Sequence, residues 1–296
     1  MTLLCLVLLS LGPSPHPMME NAGTGYRAEV EKWRADRIRR LTADDGWLTV
    51  IALSWLQEGD NRVGSAPTSR IVLPPGQTSN LGTIRLSRGE ARFSVAPGVA
   101  VTHDGKPVTT IALASDAAGR PTVVRHGTLS FYLIARGGRL GVRVKDSANA
   151  VRRRFQGIES FPVRETWRVR ARFERYEPKK SIPIPNVLGG VTQEPSPGAV
   201  LFTLGGREYR LDAVEEKGEE DLFLIFADQT NGRETYGAGR FLYAPRPGAD
   251  GTTVVDFNKA YNPPCAFTPF ATCPLPPPQN RLPIPVEAGE KRSGDH

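Results

Sequence analysis

The chain has 296 residues, 39% hydrophobic and 23% charged, an ordinary globular balance with length for one large domain or two smaller ones. Its 26 prolines and 30 glycines weigh against a helical bundle and favour many short strands joined by turns. A formal charge of +7 suits anionic partners and simple solubility alike, and so selects no partner by itself.

In chain order, the apolar run from Leu3 to Leu11 is too short to span a bilayer but matches a signal-peptide core. Residues 1–22 are therefore read as a signal peptide or disordered leader, and the protein as exported to the periplasm or the extracellular space. The run lacks a basic flank and a clean cleavage site, and Cys5 within it is not a lipidation site. No later stretch is long and apolar enough to be a transmembrane helix. Tyr26, Val30, Trp33, Ile38 and Leu41 recur at helical spacing, which predicts an amphipathic helix capped by Thr24 and ending near Gly46. The aromatic run Trp47–Leu56 is expected to pack with that helix as a lid on a sheet.

From about residue 70 the pattern becomes short strands. Asp104-Gly105 and Gly137-Gly138 mark hairpins, and Trp167–Phe173 alternates apolar residues with Arg168, Arg170 and Arg172. That arginine row is read as a solvated face, with an anion-binding stripe as the alternative. Pro178–Pro185 reads as an extended connector, which divides the chain into residues 23–185 (helix plus first β block) and 186–292 (second β block and a Cys/Pro/Asn-rich C-terminal segment). The two blocks can also form one domain. The fold predicted is mostly β, a β-sandwich or barrel-like set of antiparallel sheets with an N-terminal amphipathic helix and a long irregular Pro-rich C-terminal segment. No βαβ alternation supports a doubly wound sheet.

Two blocks carry the candidate chemistry. In the first, Asp228, Thr230, Glu234, Tyr236 and Arg240 crowd a glycine-containing loop between apolar strands, where scaffolds display working groups. Asp228 and Glu234 are acid/base candidates and Arg240 an anion or carboxylate clamp. In the second, Asp256 and Asn258 share a strand face, with Tyr261, Asn262 and Arg281 beyond, and Asp256 is the third candidate carboxylate. His126 is a pocket-rim candidate, and for each residue a satisfied structural network is the competing reading. Cys265 and Cys273 are expected to form a disulfide, with inert thiols or a metal or nucleophilic role as alternatives; no metal site is assigned, and no cofactor is identified. Arg152-Arg153-Arg154 lacks any accompanying nucleic-acid recognition motif, so nucleic acid is not expected as a partner. There is no Gly-x-Ser-x-Gly elbow, His-Glu-x-x-His, phosphate-binding P-loop or dinucleotide fingerprint.

The two blocks also carry a resemblance. Phe226-Ala-Asp-Gln-Thr-Asn-Gly-Arg-Glu-Thr-Tyr-Gly-Ala-Gly-Arg-Phe-Leu242 and Asp256-Phe-Asn-Lys-Ala-Tyr-Asn-Pro-Pro-Cys265, continuing through Gln279-Asn-Arg-Leu-Pro, resemble the domain of unknown function family numbered 1684. Gly46-Trp-Leu and Leu53-Ser-Trp-Leu are similar to that family's opening. The resemblance implies a bacterial or archaeal protein and brings no reaction with it. The residues themselves favour a small polar or anionic ligand bound at the C-terminal Asp/Asn/Arg/Tyr cluster. A carboxylate-dependent glycan or ester hydrolase and a purely structural polar network are the alternatives, and the oligomeric state is open.

Overall fold

The computed structural model describes residues 18–292 apart from 217. The apolar run and Cys5 lie outside them. Helix α1 covers Met18–Thr42. It begins before Thr24, so Thr24 is an interior residue and not the cap, and the expected leader 1–22 overlaps its first turn. Tyr26, Val30, Arg37 and Leu41 are buried along one stripe, the period of a helix packed on one side.

Among the described residues eleven strands lie between Trp47 and Asp146. They are β1 (Val50–Trp55), β2 (Gly59–Gly64), β3 (Ile71–Val72), β4 (Gly82–Ser87), β5 (Glu90–Val95), β6 (Thr102–His103), β7 (Lys106–Pro107), β8 (Thr110–Ala112), β9 (Val124–His126), β10 (Leu129–Arg136) and β11 (Arg139–Asp146). They make two sheets, ordered β1-β11-β10-β9-β6-β7 and β3-β2-β4-β5-β8, antiparallel except for the β2–β3 pair. Val63, Ile84, Phe93, Phe131, Val142 and Val144 form one core, with Phe93 edge-on to Phe131 at 5.2 Å. The run after Trp47 is thus β1, an edge strand of the first sheet, and not part of a lid. Both expected hairpins are present, with positive φ at Asp104 and Gly105 and at Gly137 and Gly138.

A short helix α2 (Ala150–Arg154) leads to the second body. Its sheet runs β14 (Arg207–Asp212), β13 (Val191–Leu204), β12 (Arg168–Pro185), β17 (Thr252–Asp256), covered by the pair β15 (Leu222–Phe226) and β16 (Arg240–Ala244). Pro178–Pro185, expected as a connector, is the outer half of β12 paired to β13 from Lys180↔Ser196 to Pro185↔Val191. Beyond β17 the described chain has only single 3₁₀ turns, at Phe257–Lys259, Pro264–Ala266 and Pro278–Asn280. This segment packs inward: Phe257, Leu282, Val286 and Ala288 join Val200, Phe202, Leu224 and Phe226 in the second core. Farther along, Ala266 and Phe267 meet Leu41 of α1.

Candidate functional site

The loop between β15 and β16 is built around one ion pair. Asp228 Oδ2 accepts from Arg240 at 2.8 Å, and neither side chain is exposed to solvent. Asp228 Oδ1 accepts from the Thr230 amide (2.8 Å) and hydroxyl (2.6 Å) and from the Val286 amide (3.2 Å). Arg240 donates to the carbonyls of Val286 (2.9 Å) and Ala288. Burial pulls the Arg240 guanidinium down from its ordinary value, with the Asp228 charge opposing. Asn231 closes the turn by accepting from the Asp228 amide and donating to Thr235 and the Tyr236 carbonyl. The junction of this loop with the C-terminal segment is therefore a closed polar knot that holds the tail.

Asp256 sits differently. As the cap of the turn Phe257–Lys259, its Oδ1 accepts from the Asn258 amide (3.2 Å), the Asn258 side chain (3.1 Å) and the Tyr26 hydroxyl of α1 (2.7 Å). Asn258 also ties to the Arg164 amide and carbonyl. Asp256 Oδ2 is buried with no hydrogen-bond partner, and Lys259 Nζ stands 3.8 Å away. Burial and the Asp256 carboxylate together push the Tyr26 phenol well above its ordinary value.

On the outer side of Asp256 a cleft of about 310 Å³ opens between α1 and the second sheet. Glu29 and Trp33 of α1, Arg168 of β12, Tyr243 of β16, Lys259 and Tyr261 share its lining with Asp256. Tyr243 and Tyr261 stack at 6.2 Å, and Trp33 tilts against Tyr261 at 6.2 Å. Lys259 bonds Glu29 across the rim, and that contact holds the Glu29 carboxyl below its ordinary range. Behind the wall, Arg37 lies over the Tyr261 ring at 4.7 Å, pairs with buried Glu290 at 3.2 Å and donates to the Asn262 carbonyl at 2.8 Å. Asn262 donates its amide to Glu290 (2.7 Å) and its side chain to the Lys291 carbonyl (2.7 Å). Burial raises the Glu290 carboxyl above its usual value against the pull of Arg37.

Of the residues singled out from sequence, Asp256, Tyr261 and Arg168 of the arginine row line this cleft, and Asn258 and Asn262 brace it from behind. Asp228, Thr230 and Arg240 are sealed in the knot. Glu234 is exposed on its turn, where its carbonyl accepts from the Arg292 amide, and Arg281 is exposed beside Ala227. Tyr236 donates to the Cys265 carbonyl at 3.1 Å. His126 belongs to β9 in the first sandwich, with Nδ1 at 2.9 Å from the Ala100 carbonyl. The disulfide expected between Cys265 and Cys273 is not formed: both are free thiols, although the Cys265 amide donates to Cys273 Sγ at 3.2 Å. Sequence reasoning missed Glu29, Arg37, Lys259 and Tyr243 as site residues and read Trp33 first as core packing, with a sugar-stacking platform as the alternative. The usable signal was Arg37, a cation placed within the otherwise apolar stripe of α1.

The family described as "Protein of unknown function (DUF1684)" matches residues 153–291. The solution NMR structure of an uncharacterised protein of Haloarcula marismortui (gene locus rrnAC0354) is 30% identical over 49% of this chain and 81% of that one, with a TM-score of 0.41. The chain belongs to the DUF1684 family. The similarity expected at Gly46–Gly59 lies outside the matched residues of this family member. An FHA domain of FhaA, in complex with the intracellular domain of Rv3910, is 20% identical over 31% of the chain and 97% of its own, with a TM-score of 0.22. A second FHA-domain structure gives 20% and 0.22 over 33% and 96%. At those scores neither bears on this fold. No curated protein matches the chain.

Proposed function

We propose that this DUF1684 protein binds a small polar ligand in the cleft between α1 and the second sheet, with Asp256 taking a hydroxyl or amine donor of that ligand. The observation that carries this reading is Asp256 Oδ2, a buried carboxylate oxygen left without a hydrogen bond in a residue that lines the cleft. An unmet buried acceptor costs about 1–3 kcal/mol, and a donor arriving in the cleft would remove that cost. Trp33, Tyr243 and Tyr261 supply apolar faces, while Arg168 and Lys259 add cationic donors for an acidic or hydroxylated substituent. The cleft is large enough for a compound of about monosaccharide size. Of the three carboxylates read as acid/base candidates, only Asp256 lines it, so a hydrolytic pair does not form from that set.

The test is a thermal-shift series with monosaccharides, small amines and carboxylates. A binder at about 100 times its Kd should stabilise the protein by about 2.7 kcal/mol. Asp256→Asn should remove that shift, whereas Tyr26→Phe, which loosens the same carboxylate from outside the cleft, should keep it. A shift that survives in Asp256→Asn, or no shift from any donor-bearing compound, would overturn the reading. The export reading rests on the apolar run Leu3–Leu11. It predicts that protein recovered outside the cytoplasm has lost that run, and a cytoplasmic chain retaining Met1 would refute it.

A further inference from the structure

The thiols lie against an unusual cation. Arg143 of β11 points away from the sandwich core and is only 3% exposed. Its guanidinium reaches the Tyr132 hydroxyl at 3.3 Å and Thr272 Oγ1 at 3.5 Å, and covers the Trp47 ring at 4.8 Å. Its Nε has no partner, and among the described residues no carboxylate forms an ion pair with it. A buried, unpaired charge is strongly unfavourable, and the ionisable groups set against this one are the Tyr132 phenol and the Cys273 thiol. Cys273, one residue beyond Thr272, is buried and feels the Arg143 charge. Cys265 is half-buried, and its backbone amide points at Cys273 Sγ.

We propose that Cys265 and Cys273 are a peroxide-oxidisable dithiol, with Cys265 as the attacking thiolate, Cys273 as the resolving thiol and Arg143 as the positioning charge beside Cys273. Exposure sets the roles, since a small oxidant can reach Cys265 and not Cys273. The hydrogen bond between the thiols agrees: it holds Cys265 below its ordinary thiol value against the effect of burial, and with burial it pushes Cys273 up. The titratable and charged groups facing the pair are Tyr236 from the β15–β16 loop and Arg143 from β11; Arg136 from β10 reaches neighbouring Thr272.

In the first step the Cys265 thiolate attacks one oxygen of a hydroperoxide. An S–O bond forms, the O–O bond breaks, and the departing oxygen takes a proton and leaves as an alcohol or water. The Cys273 thiol then attacks the sulfenic sulfur. The S–S bond forms, the S–O bond breaks, and the hydroxide leaves as water with the Cys273 proton. Two electrons pass from the dithiol to the peroxide.

The experiment treats the reduced full chain with one equivalent of hydrogen peroxide and follows the peptides by mass spectrometry. The expected product is a Cys265–Cys273 crosslink that dithiothreitol reverses. In Cys273→Ser, dimedone should capture a sulfenic acid at Cys265 and no crosslink should form. Arg143→Gln should slow crosslink closure at neutral pH by about tenfold, the effect of about one pKa unit on the Cys273 thiolate fraction, and Arg143→Lys should restore most of the rate. The proposal is overturned if the folded chain resists peroxide while the denatured chain reacts, or if dimedone capture falls on Cys273. Wild-type rates in both Arg143 variants would remove Arg143 from it.

Discussion

Asp228 and Arg240 show what a buried charge pair does when the chain around it satisfies all but one of the remaining donors and acceptors, Arg240 Nε being left without a partner. Four hydrogen bonds reach Asp228, and Arg240 returns two to the tail carbonyls. Replacing Arg240 with Ala leaves a buried carboxylate without its counter-charge and frees two tail carbonyls. We expect a loss of about 3–5 kcal/mol in urea unfolding for that reason. Replacing both partners by apolar residues of similar volume should cost much less, because no orphaned charge remains. A ligand contact at an exposed Arg240 would instead leave stability nearly unchanged, so the two variants decide between structural and binding roles. The sequence singled out both residues, Asp228 as an acid/base candidate and Arg240 as an anion or carboxylate clamp, from a polar, glycine-bearing loop between apolar strands, but did not pair them. Their complete burial was not legible, because the cover comes from Val286 and Ala288, far along the chain, and no local pattern encodes that closure.

At the level of elements, α1 carries more of the site than its amphipathic spacing suggests. The spacing predicted a packed helix, and the stripe Tyr26, Val30, Arg37 and Leu41 is that face. Its start was misplaced because Thr24 looks like a cap, whereas the helix already runs from Met18. Tyr26 pins the helix to the turn after β17 through two buried hydrogen bonds, its hydroxyl donating to Asp256 at 2.7 Å and accepting from the Asn258 side chain at 2.9 Å. Tyr26→Phe should lower stability by about 1–2 kcal/mol in thermal or urea unfolding, since Asp256 Oδ1 keeps its bonds from Asn258. A larger loss would mean that the hydroxyl orders the whole wall of the cleft. The outer half of β12 teaches the converse lesson about prolines. Pro178, Pro183 and Pro185 read as breakers, yet β17 pairs with β12 only at Arg168–Arg172, so farther out β12 has a single strand neighbour. Proline is tolerated there because its missing donor can face the unpaired edge.

For the molecule as a whole, the strand content and the turns were readable because alternation and Asp-Gly or Gly-Gly pairs are local signals. The cleft was not, since it gathers residues from α1, β12, β16 and the tail, and of the C-terminal cluster read from sequence it takes in only Asp256 and Tyr261. That gathering buries phenols, which gives the assembled protein a pH signature. Burial is the leading cause raising the hydroxyls of Tyr26, Tyr236, Tyr243 and Tyr261, with acceptors such as Asp256 and Glu216 adding to it at Tyr26 and Tyr243. In the unfolded chain these phenols ionise near pH ~10, while in the folded protein they keep their protons to higher pH. Over that interval the folded state binds more protons than the unfolded state, so stability is full below the unfolded value and falls as pH rises through the folded values. Lys145 acts in the opposite sense: burial lowers its ammonium, so in the folded state it gives up its proton earlier. Tyr176 is raised by burial in the same way, so one lysine stands against five phenols, and the net slope should be downward. Thermal unfolding followed from neutral to strongly alkaline pH should show a plateau and then a decline that starts near the ordinary tyrosine value, with tyrosinate absorbance appearing together with unfolding. Tyr243→Phe should make the decline shallower, because it removes one of the retained protons from the folded state. Tyrosinate absorbance that rises well before unfolding would show that the cleft is open enough to water for its phenols to ionise in place.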